Sequence, residues 1–207
     1  MSKRVADSIA ATLVEEGTTP HSAAVLSYGL QIIMNTLIKV TLVTVVGWAL
    51  HILLYLYIMI LAFGTLRMIT GGVHAHTFVR CATISQVSFT ALSLSIPYTL
   101  PFFASHHLLF TIAVVIFGSV VTARYVPGKW EGRNFTAKRI KVSKNLSYFF
   151  LLIILAAGYV INAYHYIYVY DIVWAAMLGI TWQYILVTPA GYKLFTIIEN
   201  VLTLKRR

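Results

Sequence analysis

A chain of 207 residues that is 59% hydrophobic, 14% aromatic and only 11% charged departs from a soluble domain, which is about 45–50% apolar and about 25% charged. This composition excludes a soluble globular enzyme and a disordered chain alike, and a mean hydropathy of +0.80 over the whole length means several apolar segments, not one anchor on a soluble body. Sixteen Lys and Arg against six Asp and Glu give a formal charge of +10; in an apolar chain this points to cytoplasmic loops of a membrane protein and not to nucleic acid.

Residues 1–21 read as an amphipathic helix on a membrane surface. Val5, Ala6, Ile9, Ala10, Leu13 and Val14 recur at helical spacing, with Lys3, Arg4, Asp7, Glu15 and Glu16 between them. The apolar run starts too late for a secretory signal, and no small-residue cleavage site follows it. Gly17 and Pro20 end it. Lys39 is the one charge between Ala23 and Leu66, a stretch long enough for two crossings at about 20 residues each. The reading places helices at 23–49 and 52–69, turning near His51. A Gly-rich polar stretch, 70–80, follows. Further helices are predicted at 82–101, stopping at Pro97 and Pro101, and at 107–124. A basic loop spans 125–146. A helical pair follows at 147–164 and 170–189, and then a tail at 190–207. The expected fold is therefore all-α, a single polytopic membrane domain of about six transmembrane helices plus the N-terminal amphipathic helix.

Six crossings bring both termini to one side. That side collects every Lys and Arg except Lys39, so it is expected to be cytoplasmic. Residues 70–80 then lie at the cytoplasmic end of the bundle. Trp130, Trp174 and Trp182 fall near helix ends, as an interfacial aromatic belt would. His106 and His107 fall in an outer turn and are expected to be solvated. The single Cys excludes an internal disulfide.

The chemistry-bearing stretch runs from Arg67 through Gly71, Gly72, His74 and His76 to Cys81, the only cysteine. A cysteine nucleophile needs a base to take its proton, and an imidazole serves. Seven residues of ideal helix return to nearly one face but rise about 10.5 Å, too far for a hydrogen bond. His74 and Cys81 can therefore work together only if the chain bends, and Gly71-Gly72 permits a bend. Taken alone, the features also suit a packed thiol, an interfacial His and a close helix contact. His74-x-His76 with one Cys and no nearby acid makes a poor metal site, and no metal or cofactor is expected.

The string Arg67…Gly71-Gly72-x-His74-Ala75…Cys81 resembles the signature of the accessory gene regulator B (AgrB) family, bacterial membrane cysteine endopeptidases that process the precursor of a cyclic quorum-sensing peptide. The resemblance covers nearly the whole chain. It implies His74 as general base and Cys81 as nucleophile, with Arg67, Gly71 and Gly72 as supporting positions. It also implies a basic loop that begins at Tyr125-Val126-Pro127. Lys129, Arg133, Lys138, Arg139, Lys141 and Lys144 then become candidates for holding an acidic precursor tail, with anionic lipid as the competing partner. A homodimer in the bacterial cell membrane follows from the resemblance alone.

The sequence departs from the family at one place. An acidic residue often stands midway along the family's first hydrophobic helix, and here that place holds Gln31. Gln31 either orients His74 or hydrogen-bonds between helices together with Asn35.

On this reading 23–124 is a four-helix catalytic part. Cys81 cleaves the tail from a precursor through an acyl-enzyme, and the bound peptide closes to a thiolactone. The alternative is a small transporter or scaffold, with Gln31, Asn35 and Lys39 lining a polar path. His-Glu-x-x-His, Gly-x-Ser-x-Gly and Walker motifs are absent. Tyr170-Asp171 has no second Asp partner that would make an aspartyl protease.

Overall fold

The structure, a computed structural model, describes residues 2–15, 22–73, 77–128, 135–164 and 169–204. The described residues form seven helices and no strand. They divide into two compact units, residues 1–46 and 47–207.

In the first unit, α1 (Ser2–Glu15) is the expected amphipathic helix. Ala6 and Ala10 are fully buried, whereas Val5 and Ile9 are exposed. α2 (Ala23–Ala49) is long and apolar enough to cross a membrane and exposes most of its side chains. That exposure suits hydrocarbon and would be costly in water. The two helices are joined by polar groups. Ser27, buried on α2, donates to the Asp7 carboxylate and accepts from Gln31 Nε2 at 3.0 Å.

The second unit contains α3 (Leu53–Thr70), α4 (Phe78–Tyr125), α5 (Ala137–Tyr164), α6 (Tyr170–Val187) and α7 (Pro189–Leu204). The 48 residues of α4 are too long for one crossing at 1.5 Å per residue. Its backbone leaves helical geometry at His106, with φ −132° and ψ 24°. The chain doubles back there. Phe102 and Phe103 meet Phe110 with ring centroids 5.5 and 5.9 Å apart. Trp174 of α6 stacks on Phe103, donates to Thr99 Oγ1 at 2.7 Å and touches Phe110 edge-on. Farther along, Ile84 of the first limb packs with Leu186 of α6, and Phe117 of the second limb meets Tyr184. The 78–105 limb therefore runs antiparallel to α6 and the 107–125 limb runs parallel to it. With α4 divided at this hairpin, the five helices long and apolar enough to cross a membrane give six candidate spans among the described residues, the number read from the sequence.

α6 is the most enclosed crossing. α3 lies parallel to it, from Tyr55–Asp171 at one end to Arg67–Gln183 at the other. At Gly179 an added Cβ would strike the Met59 carbonyl, so the two backbones approach closely. α5 returns against the second limb of α4, with Ser147 bonded to Thr122 at 2.7 Å and to Tyr184 at 3.0 Å.

Several expectations need correction. Pro97 and Pro101 do not stop a helix; both lie inside α4, and the break comes at His106. Hydroxyls of Ser95 and Thr99 donate to the Leu92 and Ser95 carbonyls in the proline stretch. Much of the 125–146 loop is helix. α5 begins at Ala137, and Thr136 Oγ1 accepts from Arg139 N at 3.4 Å, an N-cap that starts the helix before its apolar run. The 190–207 tail is largely α7, whose Phe195 and Glu199 are buried. Trp174 belongs to the buried aromatic cluster and not to an interfacial belt. His107 is half-buried against Tyr170, and its Nε2 has no partner; His106 is exposed, as expected.

Candidate active site

The site is built around a turn. α3 ends at Thr70, and the next two residues have positive φ, 69° at Gly71 and 134° at Gly72. A side chain at either would be strained. The turn is clamped by the segment that follows α4, where the Val126–Pro127 peptide is cis. Gly128 N donates to Thr70 O at 2.8 Å. A Cβ built on Gly128 would fall 2.8 Å from Gly72 N and 2.9 Å from Gly72 Cα, and 3.1 Å from the Tyr192 hydroxyl oxygen of α7. Backbone thus packs on backbone, with no room for a side chain.

Gln183, fully buried on α6, closes the turn from the other side. Its Nε2 donates to Thr70 Oγ1 at 2.8 Å and to Gly71 O at 2.6 Å. Thr70 Oγ1 in turn donates to Leu66 O at 3.0 Å. The Arg67 guanidinium spans the same turn. Nη1 donates to Gln183 Oε1 at 3.4 Å and Nη2 donates to Val73 O. Its carbon sits 5.5 Å from the centroid of Phe63, a cation–π contact.

Cys81 stands at the opening of α4. Thr77 is extended and its side chain accepts from Arg80 N, while Cys81 N donates to Thr77 O at 3.0 Å. Cys81 is in no disulfide and is partly exposed. The Arg67 guanidinium lies within electrostatic reach of both Cys81 and Tyr192. A helix N-terminus and a guanidinium together make this a place of positive potential. Next to Cys81, Arg80 forms an ion pair at 3.4 Å with Glu199, a buried carboxylate on α7.

α3 stops at Thr70 and α4 starts at Phe78, and among the described residues between them 71–73 and 77 are not helical. Arg67, Gly71, Gly72 and Cys81 gather at this end of the second unit. His74 and His76 lie outside the described residues, as do Trp130 and the tail-binding candidates Lys129 and Arg133. Lys138, Arg139 and Lys141 are exposed on the first turns of α5. Lys144 donates to Ala123 O at 2.8 Å, so it closes the C-terminal turn of α4. Gln31 lies in the first unit, bonded to Ser27 within its own helix and through it to Asp7 on α1; Asn35 Oδ1 is buried without a partner. Among the described residues no three His, Cys, Asp or Glu side chains gather as a metal site would need. Asp171 accepts from Tyr55 and from Ile172 N at the far end of the unit, a structural role.

A family model described as accessory gene regulator B matches residues 2–187. The chain belongs to the accessory gene regulator B family. As a member it is a membrane protein of quorum-sensing autoinducer peptide processing, and the family acts on an autoinducer peptide precursor. No curated relative and no solved structure matches the chain. The match ends before α7, so the helix that carries Tyr192 and Glu199 to this site lies beyond the part aligned with the accessory gene regulator B family.

Thr70, Gly128, Gln183, Tyr192 and Glu199 were not among the residues singled out by the sequence. Gln183 had a usable signal, since a lone amide deep in an apolar helix is a functional candidate by default. Gly128 and Tyr192 had none, because only the fold brings them to Gly72.

Proposed function

We propose that this accessory gene regulator B family member is a membrane cysteine endopeptidase with Cys81 as nucleophile and His74 as general base. The observation that carries the reading is the place of Cys81. It is partly exposed on the first turn of α4, within electrostatic reach of Arg67. In this mechanism His74 takes the thiol proton and the sulfur attacks a precursor carbonyl. The C–N bond then breaks, His74 returns the proton to the leaving amine, and the tail departs. The rest of the peptide stays on Cys81 as a thioester. A thiol of the bound peptide attacks that thioester, its proton passes to Cys81, and the product leaves as a thiolactone. One thioester replaces another, so the second step is nearly isoenergetic, and hydrolysis is the downhill competitor. A site at the edge of an apolar bundle limits that loss by keeping water away.

Arg67 and the N-terminus of α4 stabilise negative charge developing at the attacked carbonyl. Gly71 and Gly72 let backbone approach where a side chain would intrude. The exposed Lys138, Arg139 and Lys141, with Lys129 and Arg133, draw an acidic precursor tail to this end. The same cationic end faces the cytoplasm. No metal or organic cofactor enters the mechanism.

The test uses full-length protein in liposomes, a synthetic precursor and mass spectrometry. Wild type is expected to release the tail, and Cys81→Ala and His74→Ala are expected to release none. Tail release by Cys81→Ala at the wild-type rate would overturn Cys81 as nucleophile, whereas no release by any variant, with Cys81 inert to alkylation, would favour a transporter or scaffold.

A further inference from the structure

We infer that Gln183 of α6 is a positioning residue for precursor cleavage, because it holds the Gly71–Gly72 turn and the Arg67 guanidinium at the end of the unit where Cys81 stands. The inference rests on the proposed role of Cys81 as nucleophile.

A fully buried amide in an apolar membrane helix is costly unless its polar atoms are bonded. Gln183 meets that demand with one short segment of chain, 67–71. Both bonds from Nε2 end on the turn, at Thr70 Oγ1 and Gly71 O, and Oε1 receives Arg67 Nη1. Thr70 Oγ1 donates onward to Leu66 O, so it is oriented to accept from Gln183. Arg67 is thereby held between Gln183 and Val73 O, at the two sides of the turn.

The fold does not depend on this residue for its packing. α6 is joined to α3 by the close approach at Gly179 and by Tyr55–Asp171. It is joined to α4 by the Trp174–Phe103 stack and to α5 by Tyr184–Ser147. A leucine at 183 keeps these contacts of α6. What it would remove is the partner of the Gly71 carbonyl and the acceptor that aims the guanidinium. A displacement of about 1 Å at a reacting group can cost about 100-fold in rate.

The experiment compares wild type, Gln183→Leu, Gln183→Glu, Thr70→Val, the double variant Gln183→Leu/Thr70→Val and Cys81→Ala, each full-length in liposomes. Two quantities are read: kcat and KM for tail release, and the rate at which N-ethylmaleimide alkylates Cys81. Gln183→Leu is expected to lower kcat about tenfold or more, with KM within about threefold, and to change the alkylation rate at least about threefold. Thr70→Val is expected to give a smaller loss. The double variant should fall short of the product of the two effects, since both remove one shared bond. Gln183→Glu loses both donors and faces the Gly71 carbonyl with an oxygen, so it should be no better than Gln183→Leu; it serves if the leucine variant does not accumulate. Wild-type kcat and alkylation in Gln183→Leu, alongside an inactive Cys81→Ala, would overturn the inference and leave the peptidase reading intact. A rise in KM at constant kcat would also overturn it, by making Gln183 a peptide contact. Should Cys81→Ala cleave as well as wild type, the reading of Cys81 as nucleophile fails, and alkylation decides alone: an altered rate in Gln183→Leu upholds the positioning of the thiol's surroundings, and an unchanged rate overturns it.

Discussion

The two ends of the second unit are held together by different means. At the end containing the α4 hairpin, rings pack on rings: Phe103 stacks on Trp174 at 4.5 Å, with Phe110 and Tyr170 against them. At the other end, backbone packs on backbone at Gly72 and Gly128, and polar side chains bond across helices. Aromatic packing is broad and tolerant, and its loss is felt as stability. A turn with two positive-φ glycines and a buried amide has one workable geometry, and its loss is felt at whatever the turn positions. This contrast teaches where to seek the chemistry: at the end where the chain gives up side chains and keeps hydrogen bonds.

Substitutions at the two ends should therefore separate processing from folding. After loss of Cys81 or His74 themselves, the largest effect on processing is expected at Gly128→Ala, whose Cβ would strike the Gly72 backbone. Tail release should fall about 100-fold, consistent with a shift of about 1 Å at the site, as measured by initial rates on the precursor. Wild-type rates would mean that the turn is free to move and positions nothing. A smaller effect, about tenfold, is expected for Arg80→Met, which leaves the buried Glu199 carboxylate without Arg80. The double variant Arg80→Met/Glu199→Leu should recover part of that loss, and a double variant worse than Arg80→Met alone would show that each residue acts separately.

Reversal of the exposed cations, Lys138→Glu with Lys141→Glu, should raise KM about threefold at low salt for an acidic tail. The difference should shrink as salt screens it, and a salt-independent rise would remove the electrostatic explanation. The smallest effect on processing belongs to the aromatic end. Phe103→Ala should lower stability by about 3–5 kcal/mol and leave kcat per folded molecule within about twofold. A large fall in kcat there would erase the distinction between the ends.

The sequence made most of the fold legible because apolar length is a strong signal in a membrane chain. The six crossings and the break between Thr70 and Phe78 could be read directly. The proline stretch misled, because Pro97 and Pro101 were given the weight they carry in soluble helices, whereas α4 continues through both. Charge misled at α5 and α7. Lys138, Arg139 and Lys141 read as loop, but Thr136 caps a helix that carries them. Lys193 and Glu199 read as tail, but Glu199 turns inward to Arg80.

Part of the candidate site was legible for a simple reason. Arg67, Gly71, Gly72 and Cys81 lie within 15 residues of one another, so local spacing links them. Gln183 and Gly128 come from distant segments, and their tie to the turn exists only after α3, α4 and α6 pack.

The central claim is that Cys81 carries the peptide between cleavage and release. The most direct measurement is rapid quenching of wild-type protein with precursor, followed by mass spectrometry of the segment containing Cys81. The account predicts an adduct with the mass of the precursor minus its tail, attached at Cys81 and removed by hydroxylamine, as a thioester is. Tail release with no adduct on Cys81 at any time, together with equal release by Cys81→Ala, would contradict it.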